Sequence, residues 1–380
     1  MSGHSIVSEG GAETAVHLER LRRTREAMAA LGIDALLLSV GLDLPWLVGY
    51  HAMPLERLTM LVVPQSAPAT LVIPRLEAPR VVERPEAFSM LPWNETDDPV
   101  AITASLLARI GARRVAVGDQ MWARFLVELL KQRADVEWTR AVDVLGPIRM
   151  TKDGAEIAAL RAAGAAADRV AAQLHAGQIP LVGRTEAQVS ADISSRLLHE
   201  GHDVVNFAIV AAGENAASPH HHPGSRVIQR GEIVLCDFGG TMNGYCSDIT
   251  RCVHIGEVPE DIARAYAVLK EAQAAGVAAG RIGASCETVD AVTRKVIDDA
   301  GYGEWFVHRT RHGIGMEEHE DPYMVSGNSE PIAVGHAYSV EPGIYIPGKW
   351  GMRLEDIVVA TDNGPLPLNH ANHDLIVVHD

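Results

Sequence analysis

Apolar positions along this chain change period several times. Over residues 13–32, Leu18, Leu21, Met28 and Leu31 recur at helical spacing and Gly32 ends the run. Residues 34–40 then read as a continuous apolar stretch, the pattern of a buried strand. Residues 58–63 and 70–74 repeat it on either side of a turn-prone segment at 64–68. Helical period returns at 100–110, strand character at 114–117 and helix again at 121–133. Strands interleaved with helices predict an α/β domain over residues 1–150. No glycine-rich phosphate loop follows its first strand, so nothing there points to a nucleotide site.

A break at residues 147–153 introduces a second domain, 151–380. An alanine-rich helix spans 156–174, and the next opens on Thr185-Glu186-Ala187-Gln188, a capping box, and stops at Gly201. Residues 204–212 and 233–238 read as strands, and 245–255 as one further strand. Helices follow at 260–279 and 286–300, the second with Ser285 as its cap and Gly301 as its stop. Strands at 338–341 and 352–359 complete an α+β pattern.

Composition narrows the partners. Of 380 residues, 47% are apolar and 22% charged, the proportions of an ordinary globular protein. A net charge of −16 argues against a nucleic-acid partner or an anionic membrane surface. No stretch of about 18 apolar residues suggests a membrane span, and residues 1–14 lack the charge and apolar run of a signal peptide. Cys236, Cys246, Cys252 and Cys286 form no Cys-x-x-Cys pair, so a structural zinc site is not indicated. Read as reduced, buried thiols, they fit a cytoplasmic protein.

The candidate chemistry lies in five short frames: Cys236-Asp237-Phe238-Gly239-Gly240, Tyr245-Cys246-Ser247-Asp248-Ile249-Thr250-Arg251, His312-Gly313-Ile314-Gly315, Glu341-Pro342-Gly343 and Arg353-Leu354-Glu355-Asp356. Asp237, Asp248, His312, Glu341 and Glu355 are four carboxylates and one imidazole, a set suited to Mn²⁺, Co²⁺, Fe²⁺ or Zn²⁺. Alone, each has a plainer reading as a turn acid, a core histidine or half of a surface ion pair. Together they exceed what one catalytic ion needs, and an ion pair with bridging carboxylates uses them all. Asp237 and Asp248 are 11 residues apart. On one strand, at about 3.3 Å per residue, they could not share a site. Residues 239–244 must therefore turn back as a hairpin.

These frames, in this order, resemble those of the pita-bread metallopeptidases: prolidase, aminopeptidase P, methionine aminopeptidase and creatinase. The spacings of 11 (Asp237 to Asp248) and 14 (Glu341 to Glu355) match prolidases. The resemblance implies a creatinase-like α/β N-terminal domain, a pita-bread α+β catalytic domain and two divalent metal ions per subunit, with Mn²⁺ the first choice. Asp237 would bind one ion and His312 and Glu341 the other, with Asp248 and Glu355 bridging. It further implies catalytic roles for His220, His308 and His319, proton transfer by Glu341, and substrate contacts from Tyr345 and Arg353. His221 and His222 leave the first histidine open, and a structural ion pair competes for Arg353. Arg311 departs from the resembled pattern, which has glycine there.

The activity implied is hydrolysis of the Xaa-Pro bond in dipeptides by a homodimer. Aminopeptidase P activity on longer Xaa-Pro peptides, or another hydrolase or lyase reaction on the same fold, is the alternative. A non-catalytic binding module of this fold is the rival from a different class, and the complete ligand set counts against it. The N-terminal domain argues against methionine aminopeptidase, and the same ligands argue against creatinase. Trp46, His51 and Trp93 are left out of the site, and His370 and His373 are read as tail residues without a role.

Overall fold

The computed structural model describes residues 6–310 and 312–379, with side chains from Thr14 onward. The chain divides into two compact units, Met1–Arg149 and Met150–Asp380.

In the first unit α1 (Ile6–Leu31) starts ahead of the apolar stripe, and Gly32 ends it at φ +65°, which glycine reaches without steric cost. Strands β1 (Ala35–Leu38), β2 (Met60–Pro64), β3 (Ala69–Pro74), β4 (Phe88–Trp93), β5 (Arg114–Val117) and β6 (Glu137–Arg140) form one sheet in the order β4-β3-β2-β1-β5-β6. Helices α2 (Asp43–Val48), α3 (Pro99–Arg109), α4 (Ala123–Gln132) and α5 (Val142–Met150) accompany it. The two edge strands, β4 and β6, escape the sequence pattern. An edge strand buries little, so Ser89, Leu91, Glu137 and Arg140 stay exposed and no apolar period develops. Trp46 and Trp93 are core residues, the latter donating Nε1–H to the Leu58 carbonyl at 2.9 Å.

The second unit begins with α6 (Gly154–His175), capped by Asp153 and Glu156, and α7 (Glu186–His199), capped by the expected Thr185–Gln188 box. Strands β7 (Val204–Ala212), β8 (Ile233–Met242), β9 (Tyr245–Cys246) and β10 (Ile249–Ile255) follow, then α8 (Glu260–Ala279) and α9 (Cys286–Asp299). Ser285 caps α9 through the Thr288 amide. Strands β11 (Ala337–Val340), β12 (Gly343–Ile346), β13 (Trp350–Arg353), β14 (Asp356–Thr361), β15 (Gly364–Pro367) and β16 (Ile376–Val378) complete the chain. The main sheet runs β16-β10-β8-β7 with β9 beside β8, flanked by a three-stranded sheet β11-β14-β15 and the β12-β13 hairpin.

Strand alternation sets what faces where. Val234, Cys236 and Phe238 of β8 pack into a core with α6 and α7, whereas Ile233 and Leu235 join a second core with α8 and the β12-β13 hairpin. Asp237 continues this second row by the period of two.

Two predicted strands are broken. Residues 245–255 divide at Ser247–Asp248, and 352–359 divide at Leu354–Glu355. The hairpin itself is as expected, but its turn is confined to Asn243 (φ +51°) and Gly244 (φ +79°), the pair of positive φ values of a two-residue hairpin loop. The C-terminal tail is also structural. His373 bonds Asp356 Oδ2 at 2.6 Å, and the His370 amide donates to Asp168 Oδ2 at 2.6 Å, which places β16 alongside β10. Among the described residues no helix is long and apolar enough to cross a membrane.

Candidate metal centre

The five sequence-predicted ligands converge in the second unit, three of them, Asp248, Glu341 and Glu355, at strand ends or breaks. Asp237 lies within β8, paired in register with Thr250 of β10. Asp248 occupies the gap between β9 and β10, held by the Ser247 amide bonding the Gly240 carbonyl at 2.8 Å. Glu341 follows β11 directly, and Glu355 sits between β13 and β14, its amide on the Thr250 carbonyl at 3.3 Å. His312 precedes Gly313, which bridges to both Glu320 and Tyr338. A Cβ on Gly313 would lie 2.4 Å from the Asp321 carbonyl oxygen, so only glycine lets these backbones close on the site.

His312 Nε2 lies 3.5 Å from Glu341 Oε1, 3.6 Å from Asp248 Oδ2 and 4.0 Å from Glu355 Oε1. Its Nδ1–H donates to the Gly313 carbonyl at 3.1 Å, which leaves Nε2 as the lone-pair nitrogen facing the acids. Burial, aided by His319, lowers the His312 pKa to about 3. These contacts are therefore a neutral imidazole beside carboxylates and not salt bridges.

Burial also raises the carboxylates. Asp248 and Glu355 are driven well above the ordinary range by desolvation and by neighbouring negative charge from Glu341 and Asp237, with Glu355 also acting on Asp248. Glu341 rises to about 7, again chiefly by burial, against the opposing pull of Arg353.

Asp237 Oδ1, Asp248 Oδ1 and Glu355 Oε1 are buried with no hydrogen-bond partner among the described residues. Ligand atoms of Asp248, His312 and Glu355 all come within 4.8 Å of one another. Buried oxygens without donors, mutual repulsion and an inward-facing imidazole lone pair are what a divalent cation resolves. The donor set fits a metal.

The surroundings hold these ligands in place. Thr250 Oγ1 donates to Glu355 Oε2 at 2.7 Å, and Ser339 Oγ to Glu341 Oε1 at 3.3 Å. Buried Arg251 spans the Thr250, Glu355, Ala371 and Asn372 carbonyls and pairs with Asp356 at 2.7 Å. Arg353 forms an ion pair with a local acid and also lines the cavity: Nη2 bonds Asp237 Oδ2, Nη1 the Tyr345 hydroxyl at 2.8 Å and Nε the Thr250 hydroxyl at 3.1 Å. Tyr345, expected at the substrate, lies behind this guanidinium and is not among the cavity-lining residues.

A cavity of about 370 Å³ opens over the ligands and is lined also by His220, His308 and His319. His220 is thus the member of its triplet that reaches the cavity, while His221 turns to Glu186 at 2.8 Å. The His319 ring lies 4.0 Å from that of His312. His308 has both nitrogens engaged, on the Arg309 carbonyl at 2.7 Å and the Tyr345 hydroxyl at 2.9 Å, and burial lowers its pKa to about 4. Two charged lining residues were missed from sequence, Arg309 and Glu318. Their only signal was adjacency to His308 and His319. Arg311 lies outside the described residues.

Comparison with known proteins agrees with this geometry. Residues 158–362 match metallopeptidase family M24, and residues 20–151 match the creatinase/prolidase N-terminal domain. The chain is 43% identical over 367 residues to the probable dipeptidase PepE of Mycobacterium bovis, covering 96% of this chain and 97% of that protein. It is similar to the crystal structure of dipeptidase PepE from Mycobacterium ulcerans (TM-score 0.91, 44% identity, 97% of this chain and 99% of the other). It also resembles the prolidase of Thermococcus sibiricus (TM-score 0.89, 32% identity, 95% and 99% covered). Five converging ligands on this sheet and matches spanning both units lead to one conclusion: the chain belongs to metallopeptidase family M24, with a creatinase/prolidase N-terminal domain ahead of its catalytic unit.

Proposed function

We propose that this metallopeptidase hydrolyses Xaa-Pro dipeptides with two divalent ions held by Asp237, Asp248, His312, Glu341 and Glu355. The observation that carries the reading is the convergence of four acids, three of them buried with partnerless oxygens, on a neutral imidazole. Five donor side chains, four of them carboxylates that can bridge, are more than one catalytic ion takes, which supports a pair. Mn²⁺ is the ion proposed for so oxygen-rich a set, with Co²⁺, Zn²⁺ and Fe²⁺ as alternatives. When bound, such a pair supplies Lewis acidity toward the scissile carbonyl and lowers the pKa of water.

The protein's own groups do the rest. Glu341, on the cavity wall 3.5 Å from His312 Nε2, is placed to accept a proton and pass it to the proline nitrogen as that bond breaks. His319 and His220 face the cavity as donors for the oxygen that gains charge. His308, bonded to Tyr345, forms the wall beside them. Arg353 orients Asp237. Arg309 and Glu318 support a substrate that carries a free carboxylate and a free ammonium, as a dipeptide does. An Xaa-Pro amide lacks the N–H that general peptidases use, so a dedicated site is required. A homodimer and a cytoplasmic setting belong to the same reading, the latter supported by four free, buried cysteines.

The test is activity of stripped protein after return of Mn²⁺, Co²⁺ or Zn²⁺, on Ala-Pro, Leu-Pro and a longer Xaa-Pro peptide. Restored cleavage of the dipeptides supports the proposal. Preference for the longer peptide would indicate aminopeptidase P activity, and a metal-loaded protein inert to all three would end the reading.

A further inference from the structure

Glu186 opens α7, and its side chain is fully buried. Such a carboxylate must be matched by donors. Every side-chain partner it has in the described structure comes from one stretch, residues 212–224. These are the Ala212 amide at 2.9 Å, Asn215 Nδ2 at 3.1 and 3.2 Å, His221 Nε2 at 2.8 Å and the Gly224 amide at 3.5 Å. Backbone bonds add to the attachment: the Glu186 amide to the Arg226 carbonyl at 3.0 Å, and the Ala187 amide to the Gly224 carbonyl at 3.1 Å.

That stretch supplies Pro219 and His220 to the cavity wall. Pro219 is anchored through its carbonyl, which accepts from Arg353 Nη1 at 3.3 Å. His221 is anchored on Glu186. His220 therefore sits between two fixed neighbours, one tied to Arg353 at the end of β13 and one to a helix N-terminus. Glu186 stands in the first turn of α7, a position that favours a carboxylate.

We propose that Glu186 is a positioning residue for hydrolysis: through His221 and the backbone of residues 212–224 it fixes the direction in which His220 faces the cavity. The inference rests on the proposed role of His220 at the substrate. Glu186 has no contact with the five ligands among the bonds described, so its effect is separable from metal binding.

The experiment is a double-mutant cycle in the metal-loaded protein on Ala-Pro, with bound metal and thermal midpoint measured for each variant. His220→Ala is expected to lower kcat/KM by about 100-fold, the size of one lost oxyanion donor. Glu186→Gln, which sets an amide among groups that all donate, is expected to lower it by about 10-fold, chiefly in kcat, with metal content unchanged. Glu186→Gln added to His220→Ala is expected to change nothing beyond about twofold, because the group it positions is gone. His221→Leu, which has no donor, cuts the same link from the other end and runs through the same cycle, so the inference stays testable if Glu186→Gln does not fold. Losses that multiply, or Glu186→Gln and His221→Leu both at wild-type activity, overturn the clamp. A His220→Ala variant at wild-type activity overturns the role of His220 and the clamp with it, a different signature from multiplying losses.

Discussion

Replacing Thr250 with valine tests whether the neighbours of the ligands tune the centre. Thr250 is fully buried on β10, opposite Asp237 in register, and its backbone carbonyl receives the Glu355 amide. Its hydroxyl donates to Glu355 Oε2 at 2.7 Å and accepts from Arg353 Nε at 3.1 Å. Valine keeps the shape and removes both bonds. The bond to the Arg353 guanidinium contributes about 1.5–3 kcal/mol and the bond to Glu355, pushed toward its neutral form without metal, about 0.5–1.5, so the metal-free fold should lose roughly 2–4.5 kcal/mol in urea unfolding. The larger signal is in the metal. Losing a group that orients a ligand lowers metal affinity about 10–100-fold. Calorimetric titration of stripped protein with Mn²⁺ measures this directly, alongside kcat at saturating metal. The account predicts weaker binding with much of kcat recovered at high Mn²⁺. An affinity within about twofold of wild type would refute the claim that Thr250 orients Glu355.

Arg251→Met leaves the buried Asp356 carboxylate, among the described residues, with Gln273 and His373 and strips donors from four carbonyls. Breaking a buried pair from one side costs about 3–5 kcal/mol. Chemical denaturation should show a loss of that size, and a change below about 1 kcal/mol would count against the network. The pH dependence has two opposing parts. His336, lowered by burial and Lys152 to about 4, is neutral when folded, so its contribution is complete above pH 6.5 and is lost as pH falls from there toward 4. Glu341, raised to about 7 in the metal-free site, binds its proton more tightly when folded, so stability falls as pH rises from its ordinary 4.5 toward 7. Cations displace those protons, so the rise in thermal midpoint on adding Mn²⁺ should grow between about pH 5 and 7. An equal rise at both ends of that window would contradict it.

Much of the centre was legible because each ligand sits in a local frame. Asp237, Asp248, His312, Glu341 and Glu355 could be named before their contacts were known, and so could the caps at Thr185 and Ser285. The strand breaks at Asp248 and Glu355 were not legible, because β-type residues run through both sides. Those breaks are set by distant partners, the Gly240 carbonyl for Ser247 and the Pro342 carbonyl for Leu354. Edge strands β4 and β6 were hidden by exposure. Glu186 read only as part of a capping box, since its donors lie 26 to 38 residues away. Arg353 was undecided for the same reason: its acid, Asp237, is 116 residues distant in sequence.

Metal stoichiometry against activity tests the central claim most directly. Stripped protein titrated with Mn²⁺ and assayed on Ala-Pro should gain activity until two ions per chain are bound, and Asp248→Asn or Glu355→Gln should bind fewer and recover little. Full activity in the presence of excess chelator, or with well under one ion per chain, would contradict the account.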